Sequence, residues 1–244
     1  MSGTHRRVTR RAKLSKGATA ALAGLLAVVG IVATTAAPAS AAVTAAPNTA
    51  AGATTIATAM SAAGFQRTGA SFSTVPASST VNGTSNTAIG GFPSPSGPFG
   101  ILTTGSVSNV LGSQSTLSDV RINDNLTVRG NSARDTTVLK IDFTAPTGTN
   151  CLSMDFKFLS EEFPEYVGQQ FNDGFVAELD STTWTANQTT NDATITAPNS
   201  FAKDSSGNVV SVNSTGIGGL SAANASGTVY DGRSEEHTSE LQSH

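Results

Sequence analysis

Apolar and polar residues alternate most cleanly in two stretches of the second half of the chain. In residues 137–143, Leu139, Ile141 and Phe143 fall on one side while Lys140 and Asp142 fall on the other. In residues 151–158, Leu152, Met154, Phe156 and Phe158 share a face opposite Ser153, Asp155 and Lys157. A period of two is that of a strand with one buried face, so each stretch predicts a half-buried antiparallel strand. The intervening Ala145-Pro-Thr-Gly-Thr-Asn150 supplies turn residues for a hairpin-like connection. Shorter alternations predict strands at 70–74, 100–104, 174–179, 182–186, 193–197 and 208–212. Helical spacing is confined to Ile56, Met60 and Ala63, with Gly64 placed as the C-terminal cap. Many short strands, each with one apolar face, predict an all-β chain: a two-layer antiparallel β-sandwich of jelly-roll type with one short N-terminal helix.

Between these elements the text is less regular. Residues 42–53 are mostly Ala, Thr, Pro and Gly without period and read as a disordered lead-in. Residues 83–97 carry Gly90-Gly91, Pro93 and Pro95, but Ile89 and Phe92, with Phe99 just beyond, give apolar anchors, which predicts an ordered loop. Asn82, Asn125, Asn187, Asn213 and Asn224 each open an Asn-x-Ser/Thr triplet, as Ser/Thr-rich text produces by chance. These triplets mark their stretches as surface loops.

The two ends have their own grammar. His5, Arg6, Arg7, Arg10, Arg11, Lys13 and Lys16 precede an apolar run at 18–33, which is followed by Pro38 and the small residues Ala39-Ser40-Ala41. That order is a secretory leader, residues 1–41, with cleavage after Ala41 or Ala42. The run is too short and too rich in Ala and Gly for a membrane span. At the other end, residues 233–244 (Arg-Ser-Glu-Glu-His-Thr-Ser-Glu-Leu-Gln-Ser-His) break abruptly from the preceding composition and read like a translated sequencing adapter. They are therefore expected to lie outside the fold, leaving a single domain at 54–232 whose final strands are missing.

Composition changes the picture once the leader is set aside. Six of the fourteen Lys and Arg lie in the leader and Arg233 lies in the final segment, which leaves seven against fourteen Asp and Glu. An acidic domain of this kind lacks the clustered cations that nucleic acid requires. Cys151 is the sole cysteine, so neither an internal disulfide nor a cysteine zinc site can form. A Ser/His/Asp triad has no support, because His5 lies in the leader and His237 and His244 lie in the final segment.

The densest polar text follows the stronger strand: Ser160-Glu161-Glu162-Phe163-Pro164-Glu165-Tyr166-Val167-Gly168-Gln169-Gln170-Phe171-Asn172-Asp173-Gly174-Phe175. With Phe158 in front, it resembles the motif of the bacterial choice-of-anchor L domain, Phe-x-Ser-Glu-Glu-Tyr-Pro-Glu-Tyr-Val-Gly-x-x-x-Asn-Asp-x-Phe. It departs from that motif at Phe163, where the family has its first Tyr. Looser similarity reaches back through Thr103-Thr104-Gly105-Ser106-Val107 and residues 138–143. The resemblance implies a β-rich domain exposed on the cell surface or secreted, attached through varied C-terminal anchors, with no established catalysis. Partners would be a surface protein or a glycan.

Three chemistries compete for the motif. Glu161, Glu162, Glu165, Asn172 and Asp173 offer five oxygen-bearing side chains, and an exported acidic domain meets calcium, which takes six to eight such ligands. Calcium is thus the one cofactor the residues suggest, although their spacing is not a regular alternate-residue ligand array. Alternatively, Asn172-Asp173-Gly174 is a turn and the glutamates bond loop amides. The third reading pairs Glu162 with Glu165 as the carboxylates of an extracellular carbohydrate hydrolase. Tyr166 and Trp184 have the polar-tipped rings suited either to packing at the edge of the core, the favoured reading, or to a sugar- or partner-facing surface, whereas Phe156, Phe158, Phe171 and Phe175 read as core.

Overall fold

The computed structural model describes residues 42–77, 80–93, 95, 97–111, 125–128, 131–187, 193–215, 219–221, 228, 230, 232–233 and 237–242. The expected leader at 1–41 lies outside the described residues, as does Asn224.

The chain enters as strand β1 (Val43–Ala46) and helix α1 (Ala50–Met60). The expected disordered lead-in is therefore ordered, and the reason is small-residue packing that a reading of composition misses. Thr49 caps the helix, its side chain accepting from the Gly52 amide, and Thr55 and Thr58 return their hydroxyls to the carbonyls of Ala51 and Thr54. Gly52, Ala53, Ile56 and Ala57 form the buried stripe. The helix ends at Met60, one turn earlier than the apolar spacing predicts. Ala63 and Gly64 instead form a turn in which Gly64 takes a φ of 87° that disfavours a side chain.

Gly52 permits the closest approach in this region. A β-carbon there would lie 1.8 Å from the Pro47 carbonyl oxygen, a backbone atom that cannot rotate away. Gly52→Ala is expected to destabilise the domain by about 2 kcal/mol, read as a lower denaturant midpoint with unchanged slope.

From here the chain is all-β. The strands are β2 (Arg67–Thr74), β3 (Asn82–Ser85), β4 (Phe99–Leu102), β5 (Asn125–Val128), β6 (Asn131–Arg134), β7 (Val138–Phe143), β8 (Cys151–Phe156), β9 (Leu159–Ser160), β10 (Gly174–Phe175), β11 (Thr185–Asn187), β12 (Thr194–Thr196), β13 (Val210–Ser211), β14 (Gly232–Arg233) and β15 (His237–Gln242). One helical turn, α2 (Val212–Thr215), follows β13 directly. Every described ladder is antiparallel. The sheet β1-β3-β4 has three strands; the remaining described ladders are pairs: β2 with β7, β5 with β6, β8 with β15, β9 with β14, β10 with β13, and β11 with β12.

The alternation therefore identifies β7 and β8 but not their partners. Residues 145–150 do turn, with the Thr149 amide donating to Pro146, yet they close no hairpin. Alternation fixes which face of a strand is buried; the neighbour is chosen by the whole sheet. The described part of the loop, 83–93, is anchored by Ile89 and Phe92 as expected. Those two residues exchange backbone hydrogen bonds of 2.8 and 3.0 Å, and the Phe92 and Phe99 rings meet edge to face at 5.4 Å. Its first residues, however, belong to β3.

Two of the Asn-x-Ser/Thr triplets are not surface loops. Asn82 in β3 is 0% exposed and Asn213 in α2 is 7% exposed. Neither amide atom of Asn82 has a hydrogen-bond partner among the described residues.

Two apolar groupings hold these elements. Around α1, Ile56, Ala53 and Ala57 are buried with Ala46, Val81 and Val107, and Ile56 and Met60 lie over Gly100 of β4. The second is a cluster of Phe156, Phe158, Ala202, Val210, Val212 and Leu220, against which Met154, Phe163, Val167, Phe175 and Ala177 pack. Phe163 and Val167 come from the acid-rich motif, so that motif is folded into the core from the outset.

Candidate functional site

The motif runs from β9 to β10 as a chain of tight turns. The Tyr166 amide donates to Glu162 (2.9 Å), Val167 to Pro164 (3.3 Å) and Gln169 to Tyr166 (3.0 Å). Phe163 and Val167 turn inward to the cluster below, and Phe175 of β10 stacks on Phe156 with ring centres 4.8 Å apart. Glu165 is left exposed, as are Gly168, Gln169 and Gln170.

Asn213, on α2, is the hub. Its Oδ1 accepts from the Gly168 amide (2.8 Å), and its Nδ2 donates to the carbonyls of Gln169 (2.9 Å) and Ala193 (2.8 Å). Its own amide donates to Asn172 Oδ1 (2.8 Å), and Asn172 Nδ2 donates in turn to Ala193 (2.8 Å). Beside them the Val212 amide donates to the Asp173 carbonyl and the Ala193 amide to the Gln169 carbonyl, each at 2.9 Å. Two asparagine side chains thus tie three segments together: the motif, the start of β12, and the β13–α2 junction. Buried backbone groups that would otherwise be orphans are satisfied this way.

A second strand of contacts starts at Ser160, which is 1% exposed. Its Oγ accepts from the Glu162 amide (3.0 Å) and its hydroxyl bonds the Asp173 carboxylate. Glu162 Oε2 closes the loop by accepting from the Asp173 amide (3.1 Å). Burial pushes the Asp173 carboxyl up to about 6; the Ser160 hydrogen bond opposes this, and the negative charges of Glu161 and Asp135 add to it. Tyr230 is raised by burial too, and then by Glu161 and Asp173, so all four groups share one locality.

The five candidate calcium ligands do not converge. Among the described residues no group of three or more His, Cys, Asp or Glu side chains is placed to hold a metal ion. Both ends of the Asn172 amide are already bonded to the protein, Glu162 is engaged with a loop amide, and Glu165 faces solvent. The described residues therefore do not fit a calcium shell. The glutamate pair of the hydrolase reading is likewise divided between a backbone contact and the surface. Tyr166 is half-buried and packs edge to face on Phe171, with centres 5.1 Å apart; Trp184 is also half-buried.

The choice-of-anchor L domain family model matches residues 53–238. The chain belongs to the choice-of-anchor L domain family. No curated protein and no solved structure matches the chain. A choice-of-anchor L domain is a mark of cell-surface or extracellular proteins, and the family is not a known enzyme family. No described helix is long and apolar enough to cross a membrane.

Sequence reasoning picked out Glu162, Asn172 and Asp173, all of which take part in these hydrogen bonds, and Glu161, whose charge bears on Asp173. It missed Ser160 as the buried relay, Asp135, Tyr230 and above all Asn213. The only signal for Asn213 was its place directly after the apolar Val209-Val210-Ser211-Val212, where a polar side chain in a buried run needs partners.

Proposed function

We propose that this choice-of-anchor L domain is a non-catalytic interaction domain of the cell surface, and that its acid-rich motif is a structural clasp. The observation that supports this reading is the commitment of Asn172, Asn213, Ser160 and Glu162 to backbone and side-chain partners within the fold. A site that turns over substrate keeps its acid and base within reach of a ligand. Here the one glutamate of the pair with a defined polar contact uses it to hold a loop. The ligand in this proposal is a surface protein or a glycan, met by the exposed outer faces and not by a cleft.

The test uses two substitutions and one panel. Glu162→Gln keeps an oxygen for the Asp173 amide but loses the charge, and is expected to lower stability by about 1 kcal/mol. Glu165→Gln is expected to leave the midpoint unchanged, as for other exposed positions. Neither variant nor the parent chain should release reducing ends from a set of polysaccharides, and a chelator should not move the midpoint. Sugar release by the parent that both substitutions abolish would overturn the proposal in favour of a hydrolase.

A further inference from the structure

Asn82 stands out among the described residues because both polar atoms of its side chain are buried without a partner. It is 0% exposed, and neither Oδ1 nor Nδ2 makes a hydrogen bond. β3 holds it directly between Ala46 of β1 and Leu102 of β4. Alternation along the strand puts it on the same face as Thr84, whose partner Gly100 looks onto Ile56 and Met60 of α1. An amide closed off in this way carries the desolvation penalty of a donor and an acceptor, with no bond to offset it.

Of the elements that cover Asn82, β1 is the most weakly held. Thr44 and Ala45 are exposed, Val43 is half-buried, and only Ala46 is buried, at 2% exposure. One buried methyl group offsets little of the amide penalty, so β1 rests mainly on its short ladder to β3. β4, by contrast, brings Phe99, Ile101 and Leu102, and α1 is anchored by buried Ala53, Ile56 and Ala57. The seat of β1 is still specific: a β-carbon on Gly83 would lie 2.5 Å from the Thr44 carbonyl oxygen, so glycine lets the two backbones approach there. Beyond Ala46 the chain is fastened again. Asn48 donates its Nδ2 to the Pro76 carbonyl at 2.6 Å, and Thr49 caps α1.

We infer that β1 is a releasable strap: residues 43–46 lift from β3 about a hinge at Pro47 while α1 stays docked, and the Asn82 amide is hydrated in the open state. Lifting β1 gives up a few ladder bonds and one methyl contact, and returns water to an orphaned amide. Such an opening lies well below global unfolding in free energy. It leaves the β3 edge at Asn82–Ser85 unpaired, which makes the strap the cover of that edge.

Thiol labelling tests the strap in full-length chains that carry Cys151→Ser, so that each introduced thiol is the sole one. Ala46→Cys probes the buried position of the strap, Ala53→Cys the buried stripe of α1, and Ala202→Cys the core cluster. A chromogenic disulfide reagent should label Ala46→Cys about 100-fold faster than either of the others, since only strap opening is required. Adding Asn82→Val removes the orphaned amide and should slow labelling at position 46 about tenfold. In the unaltered chain, the β1 amides that bond β3 should exchange about 100-fold faster than those of β8. Equal labelling of Ala46→Cys and Ala53→Cys would mean that strand and helix open as one body, and would overturn the inference. So would β1 amides as protected as those of β8, or labelling unchanged or quickened in an Asn82→Val chain that still melts cooperatively.

Discussion

Replacing Asn213 with alanine is expected to be the most damaging single change in the polar part of this domain, by about 3 to 4 kcal/mol. The substitution removes one acceptor and two donors at a position that is 7% exposed, and leaves the Gly168 amide and the Gln169 and Ala193 carbonyls short of a partner. Each buried group left unsatisfied costs about 1–3 kcal/mol, partly recovered where the carbonyls keep a second bond, as Ala193 does from Asn172 and Gln169 does from the Ala193 amide. Asn213→Asp is an informative companion. It preserves size and the acceptor facing Gly168, but turns a carboxylate toward two carbonyl oxygens, so it should be no better than alanine. The loss should be largely shared with Asn172→Ala, giving a coupling of about 1 kcal/mol or more in a double-mutant cycle of denaturant midpoints. Additive losses would mean that the two asparagines do not act as a unit.

Acidification from pH 7 to about 5 is expected to stabilise the domain, and Asp173→Asn to remove that dependence. The folded-state carboxyl is raised to about 6 from an ordinary 3.8, first by burial and then by Glu161 and Asp135. Between those values the native chain holds a proton that the unfolded chain does not. Stability therefore falls as pH rises through this window, by an amount that approaches about 3 kcal/mol above it. The asparagine variant keeps an oxygen for the Ser160 hydroxyl and carries no charge, so its melting temperature at pH 7 should exceed that of the parent. Below pH 4 the trend reverses through a different group. Burial works to raise the Asp204 carboxyl, but it is held below its usual value by hydrogen bonds from Asn208, Ser206 and Thr215. Stability from that contact is present above the ordinary carboxylate range and is lost as pH falls through the lowered value. The parent chain should thus be most stable between about pH 4 and 6. A melting temperature that climbs steadily from pH 5 to 7 would contradict the placement of Asp173.

How much of this was legible beforehand follows from the range of the forces involved. Side-chain alternation is local, so β7 and β8 could be read from Leu139, Ile141, Leu152 and Met154 alone. Their partners, β2 and β15, are set by pairing across the chain, and the sequence around Pro146 and Gly148 looks the same whether or not the flanking strands meet. The N-terminal strand and the first turn of the helix were hidden because alanine and glycine pack by fitting closely, as Ala53 and Gly52 do, and carry little of the apolar signal a composition reading detects; the rest of the helix was read from Ile56 and Met60. Predicted strands at 174–179 and 208–212 shrink to β10 and β13: the Ala177 backbone bonds Ser200 and Phe201 instead of a strand partner, and the Val212 and Asn213 amides turn to Asp173 and Asn172. Of the final segment expected to stand apart, the described residues Arg233 and 237–242 pair with β9 and β8, because strand pairing asks only for a free edge. Within the motif, the residue types announced carboxylate chemistry. Only the fold shows that Glu162 faces an amide and that Asn172 faces Asn213, forty-one residues further on.

Amide hydrogen exchange at Gly168, Asp173 and Asn213 tests the clasp most directly. If these side chains hold the motif to the core, the three amides exchange only on global unfolding, with protection equal to that of β8 and abolished together by Asn213→Ala. Exchange at the fast rate of an open surface loop, unaffected by that substitution, would contradict the account.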